Sequence, residues 1–423
     1  DNIMVGQLGT EQMSGVAIVN QLIFVYNLAV FGAVSAASIF GAQYFGKGNH
    51  KGHMYSFRFK LYAALTVTAL TILLFVAKGE SLISLYLTDT SGSGATGAAL
   101  QYGLQYLIIM MAGLIPFAVN QSYATNIKET GQTLLPMIAS FVAVGSNAIL
   151  DYLLIFGIGP FPELGVQGAA LATVIARYIE ALMIIIWAHS HREKNRYLKG
   201  AYTGFGIPTD ELKAIIIKGL PLMMNEVLWA AGMTAVIQCY SIRGLEVVAG
   251  LNIATTITNL FNIIYLQLGA CISIVVGQYL GAGKLEKAKD ADNKMIVFSV
   301  FCCVIVAVCM LFMGRFFPQI YNTSEEIRAL ATRFIAVSAI IMPFCSFSHA
   351  SYFTLRSGGK TMVTFLFDSV FTWIVVVPTA FLLAHFTGLG IVSVYFLVQA
   401  TELIKVVIGY FMVHSNVWLV QMV

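Results

Sequence analysis

An ionised carboxylate at the centre of a membrane span costs about 2.5–3.5 kcal/mol on insertion scales, so an acid inside a long apolar run needs a reason. Six acids here stand in such runs: Asp1, Asp151, Glu180, Glu226, Asp368 and Glu402. Asp151 follows Asn147 by four residues, one turn along the same helical face. A buried carboxylate beside an amide can take up a proton or coordinate Na⁺ through hard oxygen ligands, and burial or a like-charged neighbour favours the protonated form. Glu226 stands in "GLPLMMNEVLWAAG", with Asn225 and Trp229 beside it and Pro221 five residues earlier to loosen the helix. A glutamate next to an aromatic there suits an organic cation or a small ion. "PFCSFSHASYF" holds no carboxylate, and its His349 could carry a proton. Each residue also has a plainer role: Asp151 capping a helix end, Glu226 hydrogen-bonded to a neighbouring helix in its neutral form, His349 packing. Glu180 follows Arg177 by three residues and Glu402 precedes Lys405 by three, spacings of local helix ion pairs. Asp368 is expected near Arg356 or Lys360.

The elements that must position these groups are apolar. Of 423 residues 58% are hydrophobic and 10% charged, with a mean hydropathy of +0.81; soluble domains carry about 25% charged residues. Eleven segments approach the roughly 20 residues a helical span needs: 14–45, 54–77, 100–126, 134–157, 166–188, 213–240, 250–280, 293–317, 328–355, 361–385 and 389–413. The apolar stub at 1–5 reads as the end of a twelfth, truncated upstream. Loops 46–60, 127–133, 189–218, 281–294 and 355–361 hold 17 of the 24 lysines and arginines. By the positive-inside rule these loops, and with twelve spans both termini, are cytoplasmic. That orientation puts Asp1 and Asp151 at one depth in the outer half of the membrane. The net charge of +4 is too small and too confined to loops for a nucleic-acid partner. Six cysteines fall inside apolar segments without metal or disulfide spacing, and no ATPase or hydrolase motif stands in a suitable context. An enzyme is therefore not expected.

The chain repeats itself. Shifted by 235, residues 9–48 meet 244–283 with 11 identities in 40 ungapped positions, including a Q-Y-x-G-x-G loop at 43–48 and 278–283. A second echo pairs "SYATNIKETGQT" (122–133) with "SYFTLRSGGKT" (351–361), which places His349 opposite Asn120. The expected architecture is all-α and polytopic: twelve transmembrane helices, the first truncated, in two six-helix lobes related by a parallel repeat. The lobes are 1–188 and 212–423, joined by a cytoplasmic linker at 189–211. Parallel repeats suit a transporter with its site between them.

"DNIMVGQLG", the paired Q-Y-x-G-x-G loops, "NAILDYLLIFGIGP", "ELGVQGAALATVIAR" and "TLRSGGKT" together resemble the bacterial multidrug and toxic compound extrusion (MATE) transporters, in order and over nearly the whole chain. The resemblance implies antiport of small, amphipathic organic cations against H⁺ or Na⁺ by rocker-switch alternating access, in a monomer of the bacterial inner membrane with the bilayer as partner. It requires no cofactor beyond the coupling ion. It places Asp1 on the family's first-helix aspartate, Asn147 and Asp151 on its fifth-helix N-x-x-x-D, and Glu226 on the seventh-helix glutamate of the sodium-coupled branch. Na⁺ at Asp1, Asp151 or Glu226 is then one expectation. The tenth span lacks that branch's acid and offers His349 instead. A second reading is a lipid-linked oligosaccharide flippase of related fold. Such proteins tend to line their cavity with arginines, whereas only Arg177 and Arg333 lie within spans here once Arg58, Arg315 and Arg328, near span ends, are counted with the loops.

Overall fold

A computed structural model describes residues 2–87, 95–204, 206–321 and 323–423. Every regular element among them is helical. A stub, α1 (Asn2–Val5), is followed by α2 (Thr10–Lys47), α3 (His50–Ser84), α4 (Ala95–Ala112), α5 (Leu114–Glu129), α6 (Leu134–Phe156) and α7 (Val166–Ser190). Then come α8 (Thr209–Ser241), α9 (Leu245–Gly281), α10 (Leu285–Met313), α11 (Glu325–Ser357), α12 (Thr361–Phe386) and α13 (Ile391–His414). Ten of these are long and apolar enough to cross a membrane, and α4 with α5, bent by 44°, makes an eleventh. Large apolar side chains such as Leu73 and Phe141 are exposed along them, as a lipid-facing surface requires. At 38 residues, about 57 Å at the α-helical rise, α2 outruns a hydrocarbon core of about 30 Å.

The helices gather into two compact units, one of residues 1–41 and 50–213, the other of residues 42–49 and 214–423. In the first, Val19, Ile23, Tyr106, Leu107, Met110 and Ile155 belong to one apolar core. In the second, Leu251, Ala254, Phe334, Ala339 and Val394 do the same. The six cysteines form no disulfide among the described residues.

Proline chemistry explains the bend between α4 and α5. Pro116 has no N–H to give the carbonyl of Ala112, and side chains take over where the ladder opens. The Tyr178 hydroxyl lies 3.4 Å from the Ala112 carbonyl, Arg177 Nη1 donates to the Gly113 carbonyl at 3.2 Å, and the Tyr26 hydroxyl donates to the Leu114 carbonyl at 2.8 Å. Arg177 therefore does not form the expected pair with Glu180. Its guanidinium lies over the Phe117 ring, and Glu180 accepts from Ser140 instead, at 2.6 Å. An arginine inside an apolar bundle lowers its burial cost by spending its donors on backbone carbonyls, here one that the Phe117 amide reaches only at 3.4 Å.

Three bases counted with the cytoplasmic loops, Lys60, Arg58 and Arg356, are buried. Lys60 is fully enclosed in the first unit, donating to both Glu129 oxygens at 2.5 and 2.6 Å and to Asn126 Oδ1 at 2.6 Å. Arg58 donates to the carbonyls of Ala201, Gly206 and Gly200 at 2.6–2.9 Å, clamping the segment after α7 onto α3. Tyr197 of that segment is buried against His53 and Phe57, and burial holds its phenol well above the usual tyrosine range.

The repeated glycine loops meet within the second unit. A Cβ on Gly46 would fall 1.9 Å from the Gln278 carbonyl oxygen, and one on Gly281 would fall 1.9 Å from that of Gln43. These are the same contact with the two copies exchanged, so glycine is obligatory at both positions. The last residues lie over the crossing. Gln43 Nε2 donates to the carbonyls of Ser357 and Val420, Gln43 Oε1 accepts from the Met422 amide at 2.8 Å, and Trp418 is buried.

Candidate functional site

Each unit carries a buried polar cluster. In the first, α6 presents Asp151, 1% exposed, and Asn147 one turn earlier. Asn147 Nδ2 reaches Thr173 Oγ1 of α7 at 3.4 Å. The buried Tyr106 hydroxyl of α4 bonds Thr173 and donates to Asn20 Oδ1 of α2 at 3.2 Å. Asp151 acts electrostatically on that hydroxyl. Four helices thus contribute two amides and two hydroxyls to a linked polar cluster on which Asp151 acts. The capping alternative for Asp151 does not hold. Helix α6 runs five residues past it and closes on Gly157, whose φ of 65° is the left-handed conformation that glycine tolerates at a helix end. Asp1 lies outside the described residues. The backbone of α1, just after it, packs against α6.

In the second unit Asn225, 2% exposed, is a hub. Its Nδ2 donates to Asp368 Oδ2 at 3.0 Å and lies 3.5 Å from the Tyr352 hydroxyl, while its Oδ1 accepts from the Ser369 amide at 3.2 Å. That amide is available because α12 is π-helical at 366–370 and 372–376, just before Pro378. A proline cannot continue the α-ladder, and π-turns of this kind recur at functional sites. Asp368 Oδ1 binds Lys405 Nζ of α13 at 2.8 Å, and the ammonium lies over the rings of Phe367 and Phe371 at 5.6 and 5.7 Å.

This corrects two expectations. Asp368 pairs with Lys405 rather than Arg356 or Lys360, and the ion pair of Lys405 is with Asp368 rather than Glu402. Glu402 stands three residues from Lys405 on the same helix, but Oε1 of Glu402 is buried with no hydrogen-bond partner. The pairing with Asp368 wins because that carboxylate is already oriented by Asn225.

Glu226 adjoins the hub and is acted on by Arg356 and Asp368. Trp229 is 37% exposed and makes no polar contact among the described residues. His349 donates from Nδ1 to the Cys345 carbonyl at 3.0 Å and packs on the Tyr265 ring, 4.6 Å between centroids. The field of Asp368, Lys405 and Glu402 also reaches it. Its repeat partner Asn120, in the first unit, is 5% exposed with Oδ1 unpartnered. Thus Asn147 and Asp151 share one cluster, Asn225, Glu226 and His349 share the other, and Asn120 and Trp229 stand apart from the hydrogen bonds of both. Sequence reasoning missed Tyr106, Thr173, Asn20 and Lys405. Lys405 alone left a signal, as a base inside an apolar run.

Fold and clusters together define an all-helical, multi-pass membrane protein with a buried ionisable centre in each of two bundles. The MatE family model matches residues 1–153 and 221–382, and the chain belongs to that family. Among curated relatives, the probable multidrug resistance protein NorM of Thermotoga maritima is 24% identical over 401 residues, covering 93% of this chain and 83% of its own. The probable multidrug resistance protein YoeA of Bacillus subtilis is 22% identical over 400 residues, covering 92% and 82%. Among solved structures, a MATE in the bent conformation superposes with a TM-score of 0.85 at 19% identity, covering 98% of this chain and 89% of that one. An outward-facing multidrug resistance MATE transporter gives the same values.

Proposed function

We propose that this protein is a secondary active exporter of small, amphipathic organic cations, driven by inward flow of H⁺ or Na⁺ across the bacterial inner membrane and working as a monomer by rocker-switch alternating access. The observation that carries the reading is Asp151: a carboxyl 1% exposed inside a bundle, one turn from Asn147 and acting on a Tyr106 hydroxyl that is tied to Thr173 and Asn20. An acid is costly there, and a group that binds and releases a cation gives it a use. The names of the relatives, multidrug resistance proteins, support the substrate class. In outline, a coupling cation enters the Asp151 cluster, alters packing around α6 and favours substrate release; Glu226, beside Asp368, is the second seat. The basic loops face the cytoplasm, as do both termini.

Arg177 weighs against the oligosaccharide flippase. It is spent on the Gly113 carbonyl and the Phe117 ring, and Arg333 is solvent-accessible rather than enclosed, so neither is held ready for a pyrophosphate. The test is ethidium efflux from proteoliposomes under separately imposed H⁺ and Na⁺ gradients. Wild type is expected to respond to one of them, and Asp151→Asn to lose that response at least tenfold with its elution profile in detergent unchanged. Asp1→Asn is expected to behave alike. A wild type that answers neither gradient rules out ion-driven antiport.

A further inference from the structure

Asp292 belongs to neither cluster. It lies two turns into α10, on the buried stripe of Ala288, Asp292, Ile296, Ser299 and Cys303, and is 0% exposed. It is at the end of the helix that carries Lys287 and Lys289, with Lys284 just before it. One oxygen, Oδ1, is 2.5 Å from Thr354 Oγ1 of α11. The other, Oδ2, is buried without a hydrogen-bond partner. Among the described residues no charged group balances the carboxyl. Thr354 is the one described side chain acting on it. Lys289 and Lys294 on its own helix point to solvent. Helix α9, packed alongside, carries Glu246 at its far end and no other charge. On α11, Arg356 lies over the Phe353 ring and acts on Glu226 and Tyr352.

Counting protons decides the state of this carboxyl. A threonine hydroxyl has one proton to give, yet Thr354 Oγ1 stands 2.5 Å from Asp292 Oδ1 and 3.0 Å from the Ala350 carbonyl oxygen. If Asp292 is ionised, Thr354 spends its proton on Oδ1, the Ala350 contact has none, and a buried charge rests on a single hydrogen bond. If Asp292 is neutral, its own O–H donates to Thr354 Oγ1, Thr354 donates to Ala350, and Oδ2 is the weakly demanding carbonyl oxygen of an acid. The second arrangement supplies a proton to each short contact and removes the uncompensated charge, which buried carboxyls do by neutralising.

We infer that Asp292 is a proton-binding site of the second unit, occupied in this conformation and separate from the Asp151 and Glu226 clusters. The proton is held between α10 and α11 and is given up when water reaches that seam.

Infrared difference spectroscopy of the purified protein in detergent reads this directly, without any transport measurement. The spectrum of wild type minus Asp292→Asn at neutral pH is expected to show the C=O stretch of a protonated carboxylic acid. That band is expected to disappear reversibly as pH is raised. In Thr354→Val, which keeps the acid but removes its acceptor, the band is expected to move to higher frequency. The amide in Asp292→Asn can make the same bond to Thr354, so the variant should fold; if it does not, the Thr354→Val shift assigns the band. Carboxylate stretches alone at neutral pH, a band unmoved by Thr354→Val, or one that persists at alkaline pH would each overturn the inference.

Discussion

Asp368 and Lys405 show how one side chain decides another's state. Both are nearly enclosed, with side chains 16% and 8% exposed, so each charge depends on the other for compensation. Removing one partner of such a pair typically costs about 3–5 kcal/mol, whereas removing both can be close to neutral. Asp368→Asn is therefore expected to lower the melting temperature in detergent by several degrees, and Asp368→Asn with Lys405→Met to recover most of it. Equal melting temperatures for the two variants would show that the pair is not the source of the stability. The pairing was illegible from sequence for a simple reason. Glu402 is three residues from Lys405 and Asp368 is 37 away, so spacing favours the wrong acid. Only the packing of α12 against α8 brings Asn225 to hold Asp368 in place.

At the level of elements, the reciprocal glycine crossing makes the sharpest demand. Gly46→Ala and Gly281→Ala each push a methyl into a backbone carbonyl, and backbone yields less readily than a side chain. Overpacking of this kind costs about 1–3 kcal/mol or more, so both variants should lose thermal stability, and by similar amounts because the contacts are equivalent. A loss confined to one of them would deny the equivalence. Gln43 ties the chain end to the same crossing through Val420 and Met422. Gln43→Ala is expected to speed hydrogen exchange in the peptide 418–423 and leave α6 unchanged, and unaltered exchange would show that the tail is held by Trp418 packing alone. The repeat that predicts the crossing can be read from the sequence, since the Q-Y-x-G-x-G motif recurs at an offset of 235. The bend after α4 and the π-turns of α12 were not anticipated. Pro116 and Pro378 mark them, but proline shows only where the ladder loses a donor. It does not show which side chains fill the gap.

Across the whole molecule, the eleven apolar segments correspond to ten continuous helices and one bent pair. Charge in the loops assigns their sides, and thiol labelling can test it. With the six native cysteines replaced, Lys289→Cys is expected to resist a membrane-impermeant maleimide in intact cells and react in inverted vesicles, while Glu325→Cys does the reverse. The opposite pattern would invert the topology and move Asp151 to the inner half.

Composition and period alone determined that this chain spans a membrane many times, that it repeats, and that its buried acids are few. Backbone hydrogen bonds must be satisfied locally in lipid, which leaves helices as the form an apolar run of this length can take. Which acid is neutralised, and by what, was decided by tertiary structure. Asp151 acts on the Tyr106 hydroxyl of another helix, Asp368 meets a lysine, and Asp292 meets one threonine. Burial and partner set the state of each carboxyl, and both come from helices far apart in sequence that pack together only in the fold.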